Sequence, residues 1–229
     1  MTQYITLIAS LPPLGQLFEA KQTPISQIKL ESRLKMLSPK DSILLNKIAS
    51  LIAWSQQPME RSDTQFIAEA TQFFEEVKNP TLRKIVEHRL TLRTIVAALR
   101  RRHRGERNPP VGQPWGVGGW VNYIERHWTE PGFHLEVMFP WVLEANRLLN
   151  ADESVAFERL QFEVNWKMIE RLGAGHYFDF EAVVIYLMRW SMVDRWTRYD
   201  GSGELTVERF RNLIDEGLGQ FTDLFAQNA

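Results

Sequence analysis

Cysteine is absent from this chain of 229 residues. Its absence excludes disulfides, zinc-thiolate sites, iron–sulfur clusters and thiol nucleophiles. Long hydrophobic runs are missing too, since the longest, Ala182 to Met188, falls far short of the roughly 20 apolar residues that cross a membrane. The short apolar run at the N-terminus has no basic region before it, unlike a secretory signal. We therefore expect a soluble, cytoplasmic protein.

Neither sign of charge dominates, because 27 basic residues are balanced by 28 acidic ones. No net field draws the chain to nucleic acid or to an anionic membrane. The composition is 44% hydrophobic and 24% charged, which excludes a disordered chain and a collagen-like fibre. A chain of this length buries a sizeable core without cross-links.

Strand-forming patterns are scarce. Tyr4 to Ala9 is apolar with β-branched residues and predicts a short strand or an extended arm packed on helices. After residue 24, apolar residues recur at helical spacing. Ser38-Pro39 and Asn79-Pro80 each place a capping side chain before a proline, and the second pair begins the longest predicted helix, Pro80 to Arg104. We predict an all-α fold of about eight helices, with at most one short N-terminal strand.

Glycine and proline concentrate in a single stretch, residues 105–119. Such a break marks either a lobe boundary or a large functional loop. We predict two packed helical lobes, residues 1–104 and 120–229, with residues 105–119 as the connecting loop.

Recognisable motifs for catalysis, metals or nucleotides are also missing. The glycines of residues 116–119 lack the strand and the Lys-Ser/Thr ending of a phosphate loop. The histidines show no metal-ligand spacing, and no serine lies in a nucleophile elbow. Asp200 to Thr206 resembles the middle of a calcium-binding EF-hand loop, but Arg198 and Arg209 occupy two of its ligand positions. We expect no metal, cofactor, small-molecule substrate or enzymatic activity; an enzyme whose site no motif reveals is the alternative.

The end of the longest predicted helix carries a basic run. It consists of Arg100, Arg101, Arg102, Arg104 and Arg107. Such runs are typical of nucleic-acid binding. They are also common at solvated helix C-termini, where the positive charges complement the helix dipole. Trp115 in the following loop is expected to be exposed and to anchor a partner. We predict that these six residues bind a protein, with nucleic acid as the alternative.

Two predicted helices carry opposite charges on apolar faces. At 100° per residue, Arg89 and Arg93 fall among the apolar residues of the longest helix. Asp194 falls on the apolar arc of the helix spanning residues 180–198. Charges on buried faces are costly unless they are paired. We predict a buried ion pair between Arg89 or Arg93 and Asp194; arginines that extend to the surface are the alternative.

The same two helices resemble a known family, the C-type subunit of the V/A-type ATPases. Leu82 to Gly105, which ends in Leu-Arg-Arg-Arg-His-Arg-Gly, resembles the inner helices of this family, and Phe180 to Arg198 resembles its closing helix. The opening, Tyr4 to Pro12 and Pro24 to Leu37, is similar to a bacterial family associated with V-type ATPases. Met192 to Trp196 departs from the usual closing helix, and the chain suits two lobes rather than the three of the C-type subunit.

The C-type subunit, which is similar to the d-type subunit of eukaryotic V-type ATPases, is a non-catalytic helical funnel. It sits on the cytoplasmic face of the membrane rotor ring and holds the foot of the central stalk. The resemblance implies a structural adaptor whose partners are the rotor ring and central-stalk subunits, placed peripherally at the inner face of the plasma membrane. A helical nucleic-acid-binding protein that uses Arg100 to Arg107 is the alternative.

Overall fold

Helices make up the secondary structure of this protein. The computed structural model describes residues 4–52, 62–112 and 114–199. The helices in these ranges are α1 (Ile5–Ala9), α2 (Gln27–Leu34), α3 (Pro39–Ile52), α4 (Asp63–Glu76), α5 (Pro80–His103), α6 (Val121–Arg126), α7 (Trp141–Asn150), α8 (Ser154–Gly173) and α9 (Phe180–Tyr199). No strand occurs in the described ranges, so the all-α prediction is confirmed. The prediction of a short strand or an extended arm over Tyr4 to Ala9 is wrong, because Ile5–Ala9 forms the helix α1 with Tyr4 at its N-cap position. A lone strand would have no partner among the described residues.

Local sequence sets where several helices begin. The Ser38 side chain accepts a hydrogen bond from the Asp41 N–H at 3.2 Å and caps α3. The Asn79 side chain accepts from the N–H groups of Thr81 and Leu82, both at 3.1 Å, and caps α5. Both predicted caps are therefore confirmed, because a side-chain oxygen satisfies N–H groups that the first helical turn leaves unpaired.

The described chain belongs to two compact units. Unit 1 consists of Met1–Pro58 and Trp166–Ala229, and unit 2 consists of Met59–Asn165. This division differs from the predicted lobes, because residues 105–119 lie inside unit 2 and the second boundary falls within α8. Glycines and prolines end helices through local backbone conformation, which does not decide where a compact unit ends.

Unit 2 is organised around α5, the longest described helix, which packs against α6 and α7. Its buried core draws on α5, on the loop that follows and on α6 to α8. Representative core residues are Leu92, Ile95, Leu99, Trp115, Ile124, Trp128, Phe133, Val142 and Phe157. Each large apolar side chain contributes about 1.5–3 kcal/mol when it is fully buried. This core holds the loop of residues 105–119 in place.

Unit 1 is organised around α9, which packs against a short 3-10 turn, Leu17–Glu19. The buried indole N–H of Trp190 donates to the Ile25 carbonyl at 2.9 Å, and the rings of Phe18 and Trp196 meet edge to face at 4.9 Å. The N-terminal segment is therefore anchored on α9. Among the helices of the described ranges, none has the length and apolarity needed to cross a bilayer. The Asp200 to Thr206 turn, predicted not to bind calcium, lies outside the described residues.

Candidate protein-binding surface

The basic run at the end of α5 is largely engaged within unit 2. Arg100 pairs with Glu158 at 3.0 Å, and Arg101 pairs with Glu106 at 3.0 Å. Arg104 lies 3.5 Å from the same Glu106 carboxylate, with its side chain still 64% exposed. These carboxylates neutralise much of the local positive field on which phosphate binding depends. Arg107, further along, is exposed.

Arg102 has a structural role that the sequence pattern does not reveal. Its guanidinium donates to the carbonyls of Trp128 and Pro131, at 3.2 and 2.6 Å, and to that of Glu130. It also donates to Asn146 Oδ1 at 2.6 Å. Desolvation by burial lowers the pKa of Arg102 below its ordinary value, although an arginine stays charged at neutral pH. Arg102 thus ties the end of α5 to the segment that follows α6.

Trp115 is buried, so the expectation that it is exposed is wrong. Its side chain is 7% accessible, and its indole N–H donates to Glu125 Oε1 at 2.8 Å. Its ring meets the Trp128 ring edge to face at 5.9 Å. A large aromatic side chain stabilises the fold more when it fills the core of unit 2 than when it faces solvent. Glu125 accepts the hydrogen bond of the indole N–H, the one polar group of the Trp115 side chain. A contact between the Arg100–Arg107 run and a partner stays a prediction.

An accessible row of aromatic rings lies on another part of unit 2. The row, called here the aromatic face, consists of Trp141, Phe139, Trp120, Tyr123, His127 and His134. Successive ring centroids are 4.5 to 6.4 Å apart. His134 is exposed and the other five residues are half-buried, with the rings of Trp120, Tyr123, Phe139 and Trp141 also packed against the core of unit 2. Aromatic side chains of this kind are enriched at protein interfaces, where they supply large contact areas.

Exposed aliphatic residues lie next to members of the aromatic face along the chain. Val137 is 91% exposed and Met138 is 62% exposed, and both immediately precede Phe139 of the row. Leu143, on the first turns of α7, is 45% exposed. Apolar residues scattered singly over a surface need no explanation, but an exposed apolar group near half-buried aromatic rings is a candidate interaction surface.

Strained backbone shapes this surface. Phe133 and His134 both have positive φ angles, 54° and 55°, in the left-handed region that such residues seldom adopt. The Phe133 ring is fully buried, and the Arg102 guanidinium carbon lies 4.6 Å from its centroid. Strain persists only where surrounding contacts outweigh it. Arg102 therefore holds the turn that presents His134 and Val137 to solvent.

The three residues of the predicted buried ion pair lie in different units. Arg89 and Arg93 are half-buried in unit 2, where the Arg93 guanidinium stacks on the Phe66 ring at 4.0 Å. Asp194, in unit 1, pairs with Arg198 at 2.8 Å, one turn along α9. Burial raises the pKa of Asp194 above its ordinary value, and Arg198 opposes this rise. The pairing of Asp194 with Arg89 or Arg93 stays a prediction.

One group of possible metal ligands occurs among the described residues. Donor atoms of His176, Asp179 and Glu181 lie within 4.8 Å of one another at the start of α9. The Asp179 carboxylate contacts His176 Nδ1 at 2.7 Å and accepts the Ala182 N–H at 2.9 Å. These bonds identify Asp179 as the cap of α9.

Comparisons of this chain with protein-family models, curated proteins and solved structures found no match. The aromatic face is the part of the candidate site that sequence reasoning missed. The high count of 8 tryptophans was the available signal, but the sequence pattern does not separate the half-buried Trp120 and Trp141 from Trp115 and Trp128 in the core.

Proposed function

We propose that this protein is a non-catalytic helical adaptor that binds a protein partner through the aromatic face of unit 2. The observation that carries the proposal is the row of partly exposed rings bordered by Val137 and Met138. Desolvating aromatic and aliphatic side chains on a partner is the main source of binding energy at protein interfaces. The firmly held turn also reduces the ordering cost of association, because the residues are positioned before the partner arrives.

The proposed partner is the rotor of a V/A-type ATPase, at the cytoplasmic face of the membrane. What supports this choice is the resemblance of Leu82 to Gly105 and of Phe180 to Arg198 to helices of the C-type subunit. Both segments form long continuous helices, α5 and α9, and each helix organises the core of its own unit. Rigid helices suit an adaptor that transmits torque between a ring and a stalk.

Nucleic-acid binding is the less favoured function. The ion pairs of Arg100 and Arg101 with Glu158 and Glu106, and the carbonyl contacts of Arg102, use up donors that would otherwise bind phosphates. Arg104 and Arg107 keep exposed side chains. Phosphate contacts supply most of non-specific affinity for nucleic acid, so few available cations predict weak binding.

The experiment is a pull-down from native membranes with the tagged full-length chain. We expect recovery of rotor-ring and central-stalk subunits. Val137→Glu and Met138→Glu, which place a charge beside the aromatic face, should each reduce recovery about tenfold or more. Val111→Glu is the matched control, because Val111 is also 91% exposed in unit 2 but lies in the 105–119 loop; it should leave recovery unchanged.

The outcomes separate the competing functions. If ring and stalk subunits are captured, and both Val137→Glu and Met138→Glu reduce that recovery, the result supports the adaptor and its partner together. If ATPase subunits are recovered equally well with Val137→Glu and Met138→Glu, the aromatic face is not the binding surface. Recovery of nucleic acid, lost in an Arg104→Gln and Arg107→Gln double variant, favours the alternative function instead.

A further inference from the structure

Unit 1 contains an open groove that none of the preceding functions uses. Its volume is about 790 Å³. One wall is the N-terminal segment of residues 8–15, and the other wall and the floor come from α9 and the last turn of α8. Sites for small organic ligands typically have volumes of roughly 300–1,000 Å³, so this groove has the capacity of a ligand site.

The floor of the groove is one face of α9. Ala182, Ile185, Tyr186 and Arg189 follow one another at helical spacing and all line it. Opposite them, residues 8 to 14 contribute isoleucine, leucine and proline side chains. The Tyr186 hydroxyl donates to the Pro12 carbonyl at 2.9 Å and joins the two walls. Burial raises the pKa of Tyr186 to about 12, so this hydroxyl remains a neutral donor. The lining of the groove is mainly apolar.

Arg189 supplies a positioned positive charge to this apolar groove. Its guanidinium carbon lies 4.4 Å from the centre of the Trp166 ring, which holds the group in place. It forms a long ion pair with the half-exposed Glu170 at 3.7 Å and donates a weak hydrogen bond to the Gly15 carbonyl at 3.4 Å, so a ligand carboxylate would share or replace these contacts. The buried Nε has no hydrogen-bond acceptor among the described residues. Desolvation lowers the pKa of Arg189, but the guanidinium remains charged.

We propose that the groove binds an amphipathic monocarboxylate, with the carboxylate on Arg189 and the aliphatic chain along the face of α9 from Tyr186 toward Ala182. A guanidinium offers two parallel N–H groups that match the two oxygens of one carboxylate. The apolar floor matches an alkyl chain. The other charged or titratable side chains in the groove are Glu170, which is half-exposed, His176, Tyr177 and Tyr186. A phosphate dianion needs a second arginine or lysine, and the groove lining contains no other one.

The test measures binding of dodecanoate to the full-length protein by titration calorimetry, with dodecanol as the neutral probe of equal chain length. We expect saturable binding of dodecanoate and weaker binding of dodecanol. Arg189→Gln should weaken dodecanoate binding about tenfold or more and leave dodecanol binding nearly unchanged. Arg171→Gln is the matched control, because Arg171 is an exposed arginine of α8 in the same unit and does not line the groove.

A second variant tests the groove without touching the charge. Ala182→Trp fills the floor and should abolish binding of both probes, provided that its circular dichroism matches that of the parent protein. The proposal is overturned if dodecanoate does not bind saturably, if Ala182→Trp leaves binding intact, or if the two arginine variants weaken binding equally. If Arg189→Gln loses both dodecanoate binding and the helical circular dichroism signal, that variant is misfolded, and Ala182→Trp decides the question.

Discussion

Single charged residues illustrate how much a side chain's role depends on what surrounds it. Arg102 and Arg104 are two positions apart in one basic run, yet Arg102 donates to three backbone carbonyls while Arg104 projects mostly into solvent. The carbonyls that Arg102 satisfies belong to a turn with two left-handed residues. A cation that satisfies several carbonyls stabilises such a turn in a way that a surface cation cannot.

We expect Arg102→Met to lower the free energy of unfolding by about 1.5–3 kcal/mol, because the substitution leaves carbonyls that a charged donor had satisfied. Arg104→Met, at an exposed position, should change it by no more than about 0.5 kcal/mol. Urea denaturation followed by circular dichroism measures both. Equal effects of the two substitutions would show that the carbonyl contacts of Arg102 contribute no stability.

The raised pKa of Asp194 predicts a particular dependence of stability on pH. Burial is the main cause of the rise above the ordinary value of 3.8, so the folded state binds the proton more tightly than the unfolded state. Protonation of Asp194 therefore stabilises the fold at low pH, and this contribution is lost as the pH rises through the folded-state pKa.

We therefore expect the stability of the parent protein, relative to Asp194→Asn, to fall as the pH rises above the ordinary value of 3.8 and through the raised folded-state pKa. Urea denaturation at several pH values provides the measurement, and the variant serves as its own reference because Asn does not titrate. The opposite slope would mean that cations dominate the environment of Asp194, as the predicted pair with Arg89 or Arg93 requires.

At the scale of elements, the loop of residues 105–119 behaves as part of unit 2. The buried Thr94 hydroxyl of α5 donates to the Val117 carbonyl at 3.1 Å and accepts the Val117 N–H at 3.0 Å. The backbone approaches so closely here that a Cβ on Gly116 would lie 2.7 Å from the Thr94 methyl group. Together with buried Trp115, these contacts bind the loop to α5.

Thr94→Val should lower the free energy of unfolding by about 1–3 kcal/mol, because both polar groups of Val117 lose their partner while the side-chain volume is kept. Thr94→Ser keeps the hydroxyl and should cost less. Thermal unfolding of the two variants compares them directly. If serine proves as damaging as valine, the methyl group rather than the hydroxyl positions the loop.

At the scale of the whole molecule, the two units differ in how the chain builds them. Unit 2 is one continuous stretch, Met59–Asn165, whereas unit 1 combines both ends of the chain. A continuous stretch with its own hydrophobic core is able to fold alone. The predicted lobe of residues 1–104 lacks the loop and the helices α6 and α7 against which α5 packs.

We therefore expect a fragment of residues 59–165 to be helical and to unfold cooperatively in urea, and a fragment of residues 1–104 to lack a cooperative transition. Circular dichroism of the separately expressed fragments tests the division. A cooperative transition in residues 1–104, with none in residues 59–165, would restore the lobe boundary that the glycine and proline pattern predicted.

The sequence by itself determined the helices and several of their ends. Apolar spacing acts over a few residues, and so do caps such as Ser38 and Asn79. Both can therefore be recognised in the sequence without knowledge of the fold. For the same reason, the sequence predicted that Pro80 to Arg104 forms a helix.

Only the tertiary structure decided which chain segments share a core and which polar groups meet. Trp115 and Trp120 lie five residues apart in the glycine-rich segment, yet Trp115 is buried and Trp120 is half-buried. The burial of Trp115 depends on its contacts with Glu125 and Trp128 and on the core that includes α5. The contacts of Arg102 with the turn after α6 join residues far apart along the chain. Such long-range pairings leave no periodic pattern in the sequence, because the energy that selects them arises when the core of the unit closes.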